Sequence, residues 1–216
     1  MSIRNIVIII LLLVSSYLIA QEEIRYGLKG GLNISTINSS VDNVTDFEPI
    51  KEFSFGAFMV YKMSQKFYLQ PEILYTIKGA TSEISIMGYD ASGNQLGYVN
   101  LESELNLSYI QIPVIAKYKD YNQIGLYIGP ALGILLTSGN NQKISSPDNN
   151  KYSVQTETLN KKDDTKSTEF SLILGGDFYW NHFIFDLRYD LGLTDIFKGD
   201  GQFKHRTYTF LLGYKF

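Results

Sequence analysis

The stretch Phe183-Ile184-Phe185-Asp186-Leu187-Arg188-Tyr189-Asp190-Leu191-Gly192-Leu193-Thr194 sets six apolar or aromatic residues on odd positions against Asp186, Arg188, Asp190 and Gly192 on even ones. A period of two marks a strand with unlike faces. A helix would scatter the three charges around its circumference. Working outward, the same period recurs over Ile24–Ile34, Phe53–Met63, Phe67–Gly79, Leu105–Tyr118, Ile124–Leu136, Glu169–Tyr179 and Arg206–Phe216. With His182–Thr194, these segments predict eight antiparallel strands. In Leu105–Tyr118 neighbouring apolar residues blur the faces, and Pro113, which has no N–H for the ladder, predicts a bulge.

The joins between segments carry independent information. Ser64-Gln65, Lys119-Asp120-Tyr121-Asn122 and Trp180-Asn181 are tight, whereas the joins after the first, third, fifth and seventh segments are long and polar. The largest expected loops are Thr81–Glu104 and Thr137–Thr168. Strict alternation of short and long joins collects every long loop at one end of the sheet and both termini at the other. This is the plan of an all-β, eight-stranded antiparallel up-and-down transmembrane barrel, with short periplasmic turns and long extracellular loops.

A soluble barrel shares the alternation but turns its apolar face inward. Three features favour the membrane. The segments are long enough to cross a bilayer when tilted. Aromatic residues gather near strand ends (Tyr26, Phe53, Tyr61, Phe67, Tyr75, Phe183, Tyr189, Tyr208, Tyr214), as interfacial girdles require. The opposite face mixes glycine with charges of both signs, which could pair inside a narrow barrel. On the lipid face a basic residue would cost about 2–4 kcal/mol near the midplane. The residues expected to form this interior polar network are Arg25, Lys29, Lys62, Glu72, Lys78, Asp186, Arg188 and Asp190. Phe58, Tyr68, Tyr127, Leu135 and Tyr179 also fall on that face, so the lumen is expected to be filled.

The first twenty residues read as an address. Arg4 precedes the apolar run from Ile6 to Val14, and Ala20 is followed by Gln21-Glu22-Glu23, the layout of a cleaved export signal. Residues 1–20 are therefore expected to be a signal peptide and residues 21–216 the barrel domain.

Composition narrows the chemistry. The 216 residues include no cysteine, which excludes disulfides, thiolate metal sites and a cysteine nucleophile. A net charge of −3 without a clustered basic patch argues against a nucleic-acid partner. His182 and His205 fall at opposite barrel ends, and each reads as a solvated or interfacial side chain. Asp186 and Asp190 with Arg188, or Glu72 with Lys78, could serve acid–base chemistry. In a lumen they read better as packed ion pairs. No cofactor is implied.

Several strings resemble a known family. Tyr26-Gly27-Leu28-Lys29-Gly30-Gly31-Leu32-Asn33, Leu69-Gln70-Pro71-Glu72-Ile73-Leu74-Tyr75 and Tyr109-Ile110-Gln111-Ile112-Pro113-Val114 look like successive strands of the PorT-like outer-membrane β-barrel family of Bacteroidetes. Tyr127-Ile128-Gly129-Pro130-Ala131-Leu132-Gly133 and Asp186-Leu187-Arg188-Tyr189-Asp190-Leu191-Gly192 continue the match in order, with Gln111 where an acidic residue is usual. The resemblance implies an eight-stranded outer-membrane barrel of mostly uncharacterised function. The filled lumen, the long external loops and the scarcity of catalytic groups rank first a non-enzymatic surface scaffold or interaction module for an external ligand or protein, with an accessory role in secretion belonging to that reading. A narrow or gated channel is the alternative, with an outer-membrane enzyme behind it. Terminal Phe216 resembles the signal read by the outer-membrane insertion machinery.

Overall fold

The computed structural model describes residues 24–39, 47–89, 95–121, 123–145, 157–160, 164–199 and 202–216. The expected signal peptide lies outside them. The strands in chain order are β1 (Arg25–Ser39), β2 (Phe47–Glu48), β3 (Ile50–Lys62), β4 (Phe67–Tyr89), β5 (Gln95–Tyr121), β6 (Ile124–Ser145), β7 (Glu157–Asn160), β8 (Thr168–Trp180), β9 (Phe183–Gly192) and β10 (Phe203–Lys215). Neighbours pair antiparallel around a closed ring β1-β3-β4-β5-β6-β8-β9-β10, and β10 returns to β1. The short strands β2 and β7 are side additions to β4 and β6. Among the described residues there is no helix.

Closure runs from Gly27↔Lys215 to Ser39↔Phe203, and the Phe216 N–H donates to the Tyr26 carbonyl at 2.9 Å. A closed ring has no sheet edge, so no row of backbone donors and acceptors is left facing hydrocarbon. The turns follow from local chemistry: Asn181, at φ 55°, takes the left-handed conformation between Trp180 and Phe183. Asparagine tolerates that conformation better than most residues.

Burial is inverted relative to a soluble barrel. Leu32, Leu126, Phe185, Phe210 and Leu212 point outward and are exposed, whereas Lys29, Glu72, Lys78, Asp186 and Arg188 point inward and are buried. Only an apolar solvent makes that arrangement favourable. Aromatic pairs edge the belt, with Phe67–Tyr118 and Tyr214–Phe216 toward the turns and Tyr189–Tyr208 and Phe55–Tyr75 toward the opposite end.

Two expectations need correction. The stretch Thr81–Glu104 is mostly strand: β4 and β5 stay paired from Thr81↔Glu104 up to Tyr89↔Gln95, forming a hairpin that rises beyond the ring. The stretch Thr137–Thr168 likewise carries the end of β6, which runs to Ser145, and β7. Beyond the belt neither face must be apolar, so polar Ser, Asn and Glu residues form ladder without the strong alternation that reveals a strand in the membrane. The bulge is also displaced. Register is the same on both sides of Pro113, and the shift falls between Ser108 and Tyr109, leaving Leu136 of β6 as the extra residue. It resets the phase of β6: Leu135 faces inward, and beyond Leu136 the inward residues become Ser138 and Asn140. Pro113 loses a donor without needing an added residue.

Strand approach at the closure seam fixes one glycine. A Cβ on Gly31 would lie 1.8 Å from the Phe210 carbonyl oxygen, inside the backbone of the neighbouring strand. Gly31→Val is therefore expected to lose most of the folded, heat-modifiable barrel seen on gel migration. Gly199→Ala, at a position with open space around it, is expected to leave the folded fraction unchanged.

Candidate functional site

Period-two alternation sends every second side chain of each strand into the lumen, and ring closure then brings charges from distant strands together. The central cluster joins β1, β4 and β9, which are not neighbours. Lys29 Nζ donates to Glu72 Oε1 at 2.7 Å and to Asp186 Oδ2 at 3.0 Å. Arg188 donates to both Glu72 oxygens, Nη1 at 2.9 Å and Nη2 at 3.3 Å, and also pairs with Asp186. Gln70 Nε2 adds a third donor to Glu72 at 2.6 Å, and the Tyr127 hydroxyl donates to Asp186.

A second cluster lies nearer the hairpins. Lys78 Nζ donates to Asp190 at 2.7 Å and to Glu169 at 3.0 Å, while His205 Nδ1 sits 3.0 Å from Glu169. Gln111 Nε2 donates to Asp190 Oδ2 at 2.6 Å. An acidic residue at position 111 would set a carboxylate against Asp190, so the amide suits this particular cluster. Toward the turns a third cluster joins Lys117 to Asp177, to Gln70 Oε1 at 2.6 Å and to the Tyr179 hydroxyl at 2.9 Å.

Apolar layers separate and cap these clusters. Ile115, Tyr127, Ala131 and Ile173 pack together along one wall. At the hairpin end Ile37, Leu105, Leu107, Tyr109, Leu135 and Ile196 form a plug. Ile196 is held there by backbone bonds, its N–H to the Phe203 carbonyl at 2.9 Å and its carbonyl to the Lys166 N–H at 2.7 Å. Among the described residues, no group of three histidine or carboxylate side chains is placed to hold a metal ion.

The sequence-derived residues distribute unevenly. Lys29, Glu72, Asp186 and Arg188 meet in the central cluster, and Lys78 and Asp190 meet in the second. Arg25 and Lys62 are brought into neither; both line a vestibule at the turn end. Phe216 is exposed on the outer face, its ring 5.5 Å from that of Tyr214. His205, read from sequence as a solvated or interfacial side chain in a loop, lies in β10, buried beside Tyr109 with ring centroids 6.0 Å apart. His182 stays at its turn, stacked on Tyr214. Sequence reasoning gave no role to Lys117, Glu169 or Gln111. The period-two phase from Gln111 through Pro113 and Ile115 to Lys117 would have placed two of them inward, but the flanking apolar run obscured it.

Compared with known proteins, the chain matches the family model described as "Outer membrane protein beta-barrel domain" over residues 19–198. No curated protein sequence matches it. Among solved structures it is similar to Ail, the attachment invasion locus protein of Yersinia pestis, at 14% identity and TM-score 0.46, covering 90% of this chain and 100% of that one. It is also similar to Neisserial surface protein A (NspA), at 12% identity and TM-score 0.47, covering 90% and 98%.

Deleting one member of a buried ion pair strands its partner and costs about 3–5 kcal/mol. Glu72→Ala leaves Lys29 and Arg188 facing a deficit and is expected to lower the unfolding free energy by that order, measured by urea titration in lipid vesicles. Lys143→Ala removes an exposed pair with Glu102 at 3.2 Å and is expected to cost about 1 kcal/mol or less.

Proposed function

The chain belongs to the outer membrane protein beta-barrel domain family, and from that premise we propose that it is a closed surface scaffold rather than a pore or an enzyme. The carrying observation is a division of labour along one axis. The lumen is filled by three cross-bonded charge clusters and an apolar plug, while β4 and β5, of 23 and 27 residues, rise past the ring as a paired hairpin. Material invested beyond the membrane presents surface, and bonded charges and packed apolar side chains crowd the lumen among the described residues. The hairpin end is read as extracellular and the turn end, with both termini, as periplasmic, following the loop asymmetry of such barrels.

The hairpin supplies a binding face. Cross-strand pairs Ile84↔Leu101 and Ile86↔Val99 set four apolar residues on one side of it, with Ile84 and Ile86 exposed. An external protein or ligand is the partner this surface suits, and an accessory role in secretion falls within the same reading. The five strings quoted above support placement in the PorT-like branch of the family. A catalytic role for His205 is disfavoured by its burial beneath the Ile196 plug.

Two experiments test the scaffold reading. In planar bilayers the purified barrel is expected to give no large, stable conductance; such a conductance would reject the closed lumen. An allele in which residues 83–102 are replaced by an Asn-Gly turn, keeping Ser82 opposite Ser103, is expected to fold. It should reproduce the surface defects of a complete deletion without altering envelope permeability. Wild-type surface behaviour from that allele would overturn the reading.

Phe216 is proposed as the assembly signal read by the insertion machinery. Deleting it is expected to lower the assembled amount, measured by heat-modifiable migration of membrane fractions, more than Phe53→Ala does. Phe53 is also an exposed outer-face aromatic and controls for lost lipid contact.

A further inference from the structure

Above the ring, β4 is the end strand of the protruding sheet. β5 covers one side of it as far as Tyr89↔Gln95, and β6 covers β5 as far as Asn100↔Ser145. On its other side β4 pairs with β2 at Thr81 and Ser82, and among the described residues no strand continues past Ser82. Glu83, Ile84, Ser85 and Ile86 are all exposed, so both faces of this edge are open.

Ladder phase shows which backbone groups line the open side. Gly79 turns its N–H away from β5, to the Ser35 hydroxyl oxygen at 3.2 Å, and the Ile77 carbonyl turns the same way to accept from Asn33 Nδ2 at 3.0 Å. Alternate residues of an antiparallel strand bond to the same neighbour, and the register against β5 does not shift before Gly88. Glu83, Ser85 and Met87 therefore direct their N–H and C=O to the open side, while Ile84 and Ile86 bond to β5. Proteins blunt such an edge with lysine, proline, a bulge or a cover, because otherwise it pairs with another chain. Residues 83–87 include neither lysine nor proline, and they offer about 17 Å of regular strand.

Charge and side-chain pattern select the strand that fits. Glu83 stands opposite Glu102, a like pair that weakens the ladder. Lys143 relieves it from the β6 side, its Nζ 3.2 Å from Glu102 Oε1, and a cation on the open side of Glu83 would complete the row. The apolar rows Ile84↔Leu101 and Ile86↔Val99 call for apolar neighbours. The chain's own sequence before Phe47 reads Asn43-Val44-Thr45-Asp46, which in the register of β2 would offer Asp46 to Glu83. A second copy in the same membrane would present its β4 parallel and level with this one, setting Glu83 against Glu83.

We infer that the open edge of β4 captures an extended segment of an external protein as an added antiparallel strand, with apolar residues beside Ile84 and Ile86 and a basic residue beside Glu83. The inference rests on the hairpin being the binding element, and it assigns the backbone edge of that hairpin rather than its apolar face.

The probe is the fluorescein-labelled peptide amide Thr-Val-Thr-Val-Lys, whose lysine falls beside Glu83 when it runs antiparallel. It is titrated by fluorescence anisotropy with the folded protein in phosphatidylcholine nanodiscs. Saturable binding is expected, with slowed amide exchange at Glu83, Ser85 and Met87. Ser85→Pro deletes one open-side N–H without removing a bond to β5, a change that edge strands tolerate. It should weaken binding about tenfold or more, and heat-modifiable migration verifies that the variant is folded. Ser85→Ala keeps the N–H, loses the side-chain bond to Asn100 at 2.7 Å and should bind as the wild type does. Glu83→Lys should weaken binding of the lysine peptide about threefold or more and favour its glutamate counterpart, Thr-Val-Thr-Val-Glu. No saturable binding, or full affinity in Ser85→Pro, would overturn the edge. The same peptide preference in Glu83→Lys and the wild type would overturn the register. Dimers in sedimentation that Ser85→Pro abolishes would overturn the occupant in favour of a second copy. Failure of the peptide together with a surface defect in the 83–102 replacement allele would overturn the edge and leave the scaffold reading standing.

Discussion

Charge pairing across the lumen is the constraint on which the rest of this structure depends, because the outer face cannot hold the barrel together. Lipid is as apolar as leucine, so burying Leu32 or Phe210 against acyl chains gives strands no preference for one another. The interior supplies that preference. Arg188 on β9 reaches Glu72 on β4, and Lys29 on β1 bridges Glu72 to Asp186, so three non-adjacent strands are tied through one set of atoms. Each ion is costly to desolvate, and each finds compensating partners only when the ring is closed and in register. A one-residue slip of any one of these strands would turn its own lumen charge out to hydrocarbon and strand the partners on the other two.

The same constraint explains how the length of the molecule is divided. Among the described residues, the buried lumen carries five carboxylates, on Glu72, Glu169, Asp177, Asp186 and Asp190, against four cations, on Lys29, Lys78, Lys117 and Arg188, with His205 bonded to Glu169. Near balance is what a water-poor interior requires. At the turn end Arg25, Lys62, Lys119 and Lys215 line a recess beside Tyr179, and at the hairpin end Ile196 belongs to an apolar plug. One axis thus carries a basic recess, a neutralised core, a dry cap and a protruding hairpin.

Catalysis finds little support in this arrangement. His205, the histidine closest to a carboxylate among the described residues, is buried under the plug and bonded to Glu169, which Lys78 also holds. Its position is that of a lumen-filling side chain. Ile84 and Ile86 on the hairpin, by contrast, are exposed.

The sequence by itself determined the ring. Alternation from Ile24 to Phe216, short joins at Ser64, Asn122 and Asn181, and charges kept to one phase were sufficient for eight strands, for an outward apolar face and for Lys29, Glu72, Asp186 and Arg188 lying inside. Those features are local, since a strand's phase is written in its own residues. Only the tertiary structure decided which charges meet, because Lys29 and Asp186 are 157 residues apart and their contact depends on the register of intervening strands. It also decided that Arg25 and Lys62 stand apart in the vestibule, that His205 is buried, that Lys117 takes Asp177, and that Thr81–Glu104 is a hairpin. Outside the membrane no solvent enforces an apolar face, so the period that reveals a strand fades while its backbone pairing persists.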